Sequence, residues 1–138
     1  MRRSILLATM ALLLACGTAE ASEWVSVGMS VHKIEIFIDV SSIRVTGGIH
    51  RAWVKLVHHN HDQRGNGDDA GKWLSHSVSR DAFNCTEETT RAEALTWYFE
   101  DGTNHVVSPA SYPDPWRPVA PDTIDSATMQ FICAWKPK

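Results

Sequence analysis

Ile34-Glu35-Ile36-Phe37-Ile38-Asp39-Val40 decides the fold. β-Branched residues fill every second position, which is the period of a strand with one buried face. Upstream, Glu23-Trp24-Val25-Ser26-Val27 repeats the alternation. Downstream, Gly47-Gly48 signals a turn, and Ile49 to Val57 follows as a long third strand. Trp73 to Cys85 reads as a fourth strand and Thr90 to Phe99 as a fifth. Glu100-Asp101-Gly102 then turns the chain into Asn104-His105-Val106-Val107, a hairpin by residue type. Strands of this spacing joined by tight turns predict an antiparallel meander.

The last third of the chain changes character. Pro113, Pro115, Pro118 and Pro121 argue against regular structure between Ser111 and Pro121. Asp122 or Thr123 can then cap a helix, and Asp125 suits its first turn. Ile124, Ala127, Thr128, Phe131, Ile132 and Trp135 recur at helical steps, and Pro137 ends the run. The expected class is therefore α+β: mainly an antiparallel β-sheet meander with a C-terminal α-helix.

With 138 residues, the chain suits a single domain; its 43% hydrophobic content excludes wholesale disorder. A formal charge of −3 gives no reason to expect nucleic acid. Met1-Arg2-Arg3 followed by the apolar run Ile5 to Ala15 reads as an export signal, too short to span a bilayer. Ala19-Glu20-Ala21 is a small-x-small cleavage site, giving a signal peptide over residues 1–21 and a domain over residues 22–138. Leu13-Leu14-Ala15-Cys16 is the alternative: a lipobox that would remove residues 1–15 and lipidate Cys16, the chain's only route to a membrane.

Both routes leave Cys85 and Cys133 as the free thiols of an exported domain. A pair in an oxidising compartment reads as a disulfide, which pins the helix to a strand end. The chain lacks C-x-x-C, G-x-S-x-G and H-E-x-x-H, so it reads as non-catalytic and without a cofactor.

Several residues carry chemistry. His58, His59 and His61 are a candidate metal or haem site, with Asp62 as a further ligand, at the start of a polar loop from Asn60 to Gly71 that reads as mobile. Of the tryptophans, Trp24, Trp53 and Trp97 lie in apolar strands and are expected in the core. Trp73 and Trp116 are the expected partner contacts. Asp39 precedes Ser41-Ser42 and reads as a turn carboxylate that caps backbone N–H groups. No run of basic residues marks a surface for acidic partners.

The order of motifs resembles the bacterial surface-adhesin protein E family. The resemblance rests on Glu23-Trp24-Val25, Phe37 to Arg44, Arg51-Ala52-Trp53-Val54, Phe83-Asn84-Cys85, the Tyr98 to Val107 hairpin, and Trp116 to Pro121 before a helix that carries Cys133. It implies an exported or outer-membrane-associated domain, an antiparallel sheet and a disulfide-held helix. It also implies a protein partner, since named members bind host extracellular-matrix proteins. A small-ligand or metal-handling envelope protein built on the loop 58–71 is the alternative.

Overall fold

The computed structural model describes residues 21–61 and 64–136. Both proposed processing sites centre on residues outside this range, as do Asp62 and Pro137. The sheet runs in chain order: β1 (Trp24–Met29), β2 (Ile34–Thr46), β3 (Ile49–His58), β4 (Leu74–Asn84), β5 (Thr89–Phe99) and β6 (Asn104–Val106), every pair antiparallel. Gly47 and Gly48 close the β2–β3 hairpin at φ 59° and 77°, the left-handed pair that a two-residue turn of this twist requires.

The strand identified by that alternation runs on beyond Val40 to Thr46, while the alternation itself breaks phase. Its ladder with β3 is interrupted between Asp39 and Arg44, then resumes to Thr46. Asp39 stabilises this irregularity. Its Oδ1 accepts from the Glu23 and Ser41 amides at 3.0 and 3.1 Å and from the Ser41 hydroxyl at 2.6 Å, so the expected turn carboxylate is in place.

The proline-rich stretch is more regular than its composition suggested. A short strand, β7 (Arg117–Pro118), pairs with Thr89 and Thr90 of β5. A 3₁₀ turn also forms at Pro109–Ser111. Proline is tolerated because β7 is an edge strand, where one N–H can be spared. β6 and β7 lie end to end along the same side of β5.

The helix α1 (Ile124–Ala134) begins where the cap signal placed it: the Thr123 side chain accepts from the Ser126 amide at 3.1 Å. It packs on one face of the sheet. Met129 and Ile132 meet Ile36, Ile38, Val40, Ala52, Val54 and Phe83 to form the core. Cys85 and Cys133 are joined as a disulfide, tying the last turn of α1 to the end of β4.

Candidate functional site

Strand pleating gives the sheet two unlike faces. Residues 34, 36 and 38 of β2 and 52, 54 and 56 of β3 share the helix side, and the register carries that side to Ser77, Ser79 and Asp81 of β4 and to Ala92, Leu95 and Trp97 of β5. The opposite side carries Trp24, Phe37, Trp53, Lys55, Val57 and Arg80. Among the described residues no helix covers it.

On this open face Trp53 is 37% exposed, which corrects its expected place in the core. Its neighbours Ala52 and Val54 are the buried ones. Trp24 and Trp97 are half-buried and likewise lie outside the buried cluster. Lys55 extends its ammonium over the Trp24 and Phe37 rings, at 4.4 and 5.1 Å from their centroids.

Beside Trp53 sits a cluster of arginines. Arg51 Nε donates to both Glu93 oxygens at 3.0 and 3.1 Å, Arg91 reaches the same carboxylate at 3.2 Å, and Arg80 Nε lies 3.7 Å away. Glu93 is drawn to this side by the irregularity in the β4–β5 ladder between Arg80 and Asp81. Arg91 in turn stacks on Trp116 at 4.7 Å, and Trp116 is 39% exposed. Exposed indoles at Trp53 and Trp116 therefore flank a basic cluster. The sequence concealed it, because its members come from three strands and meet only through register.

Trp73, the other expected contact, is half-buried: the Arg64 guanidinium lies over its ring at 4.0 Å and His61 packs edge-on at 5.5 Å. The polar loop that leads into it carries local structure. A 3₁₀ turn forms at Gly67–Asp69. The buried Asp69 binds Lys72 Nζ and His105 Nδ1, each at 2.9 Å. This ion pair holds the Lys72 ammonium above its ordinary pKa. Gly65 lies so close to the Asp69 backbone that a Cβ there would collide with it.

The three clustered histidines point to different neighbours. His59 Nε2 meets Glu35 at 3.1 Å, and His61 Nδ1 meets Glu100 at 3.3 Å. Hydrogen bonds from Ser26 and then His59 keep the Glu35 carboxyl below its usual value. His58 is half-buried on the helix side, and its Nδ1 is buried without a hydrogen-bond partner. Burial, followed by the nearby His76, pushes the His58 pKa down. Among the described residues no three His, Cys, Asp or Glu side chains converge as a metal site.

On the helix side, α1 leaves part of the sheet bare, and a cavity of about 450 Å³ opens there. Leu56, Leu95 and Trp97 supply an apolar floor, and Ser77, Ser79 and Asp81 a polar one. Tyr112, Asp114 and Arg117 wall it on one side, with Asp125 at the start of α1. Asp81 accepts a hydrogen bond from Ser79 at 3.1 Å. Desolvation pushes its carboxyl up to about 7; Asp125 and Asp114 act in the same direction, while the Ser79 hydrogen bond and Arg117 oppose it. The sequence offered one hint of this site: the imperfect alternation of β4, where polar residues occupy the side that is buried elsewhere.

This architecture is found in known proteins. The family model of surface-adhesin protein E matches residues 24–134. The chain belongs to the surface-adhesin protein E family. Its fold resembles Haemophilus influenzae protein E in crystal form II, with a TM-score of 0.56, 19% identity, and 88% of this chain and 94% of that one covered. Protein E from non-typeable Haemophilus influenzae gives a TM-score of 0.54 at 18% identity, covering 88% and 82% of the respective chains. No curated protein sequence matches significantly. Family membership makes this chain an exported bacterial surface protein, and no helix among the described residues is long and apolar enough to cross a membrane.

Proposed function

We propose that this surface adhesin acts by binding, without a catalytic step, and grips a host extracellular-matrix protein through the open face of its sheet. One observation carries the reading. The exposed Trp53 and Trp116 flank Arg51, Arg80 and Arg91 on a face that no helix covers. Tryptophan and arginine are the residues in which binding energy concentrates. Within the arginine cluster Glu93 is the acidic member, and it is shared among all three guanidiniums. The patch therefore retains positive charge in an acidic chain, and suits an acidic segment of the partner.

Binding of the disulfide-bonded protein to immobilised laminin and vitronectin tests this. Trp53→Ala combined with Arg80→Glu should weaken binding by about tenfold or more, the loss of a single hot spot. Its melting temperature should stay near that of the parent, because both side chains are solvent-facing. The reading fails if neither matrix protein is captured, or if the double variant binds as well as the parent.

A further inference from the structure

The cavity beside α1 lies on the opposite side of the sheet from the proposed partner surface and plays no part in it. Its composition is divided. Leu56, Leu95 and Trp97 make one region apolar. Asp81, Asp114 and Asp125 gather in the other, with Tyr112 beside them. Tyr112 is close enough to the acids that Asp114 and Asp81, after burial, hold its hydroxyl pKa above the usual value. The cation in this region, Arg117, is already bound to Asp125 at 2.8 Å. Arg64, which also lines the cavity, is drawn onto the Trp73 ring. Asp81 and Asp114 are thus left without a cationic partner among the described residues, at the end of a pocket of ligand size.

We propose that this cavity binds a small organic ammonium compound with an apolar body. The ammonium would sit between Asp81, Asp114 and the Tyr112 ring, and the apolar body against Leu56, Leu95 and Trp97. Carboxylates combined with aromatic walls recognise an organic cation through charge and ring quadrupole together. A bare metal ion fits less well, because the described acids do not converge to coordinate one and Leu56, Leu95 and Trp97 offer it no ligand.

Binding should depend on pH. The groups facing Asp81 are Ser79 on its own strand, Asp125 of α1, Arg117 of β7, and Asp114 and Tyr112 from the segment between β6 and β7. His58 also lines the cavity, and burial, followed by the nearby His76, lowers its pKa. As Asp81 ionises near its pKa of about 7, the cavity gains the charge that holds a cation. Affinity should therefore rise between acidic and mildly alkaline pH.

Titration of the disulfide-bonded chain with 2-phenylethylamine, followed by NMR, tests the proposal; 3-phenylpropanoate is the anionic control with a similar skeleton. The amine should shift the amides of Ser77, Ser79 and Asp81 and the Trp97 indole, and the carboxylate should not. Asp81→Asn should weaken amine binding by about tenfold, the loss of one charged contact, and flatten its pH dependence. If Asp81→Asn fails to fold, Asp114→Asn on the cavity wall should weaken amine binding similarly while the pH dependence set by Asp81 remains. Equal binding of amine and carboxylate, shifts confined to other surfaces, or undiminished affinity in the folded variant would overturn the assignment.

Discussion

Asp81 shows what one residue costs the fold. Its carboxyl titrates near 7 in the folded protein, against an ordinary value of 3.8. Between those values the folded state holds a proton that the unfolded state has released. The contribution of Asp81 to stability then falls as pH rises from about 4 to about 7, because at this group the folded state binds more protons throughout that interval. Asp81→Asn keeps the shape and removes the charge. It should stabilise the protein at pH 8 by as much as a few kcal/mol and leave stability at pH 4 nearly unchanged. Urea unfolding of parent and variant at both pH values checks this, and equal gains at the two would refute it. Trp53 teaches a related lesson about residues. Alternation reveals that a strand has two faces, but only the position of α1 determines which face is covered. Whether Trp53 or its neighbours Ala52 and Val54 face the core is therefore decided by the helix.

At the scale of elements, the strands were legible because burial is written at period two, as it is in Ile34, Ile36 and Ile38. The helix was legible from its Thr123 cap and its apolar spacing. β7 was not. Two residues carry no periodicity, and Pro118 is a residue type that argues against a strand unless the edge is already known. The arginine cluster was hidden for the same reason: Arg51, Arg80 and Arg91 become neighbours only after β3, β4 and β5 are in register. The disulfide is the element-scale constraint that can be weighed. Cys85 and Cys133 are 48 residues apart in sequence, and closing a loop of that length stabilises a fold by about 4 kcal/mol on the chain-entropy model. Cys85→Ser with Cys133→Ser should lower the unfolding free energy in denaturant by about that amount. An unchanged value would mean that burial of Met129 and Ile132 alone holds α1.

For the whole molecule, processing decides how the open face is presented. We infer that the export signal spans residues 1–21, leaving Ser22 as the first residue of a single domain shortly before β1. Mass spectrometry of the protein recovered from its native envelope should find that terminus. A diacylglyceryl group on Cys16 would instead mean that the lipobox is used and the domain is membrane-tethered.

The two short strands at the outer border of β5 bear on how such molecules coexist when crowded. A sheet with one bare face and a long unpaired border would invite its neighbours to add strands indefinitely, and an array of adhesins would become a fibre. Here β6 covers residues 96–98, β7 covers 89–90, and the amides of Val107 and Asp114 occupy the carbonyls of Leu95 and Ala92 between them. Pro118 lacks an N–H to offer outward. The border beside the open face therefore has little left with which to add a further strand.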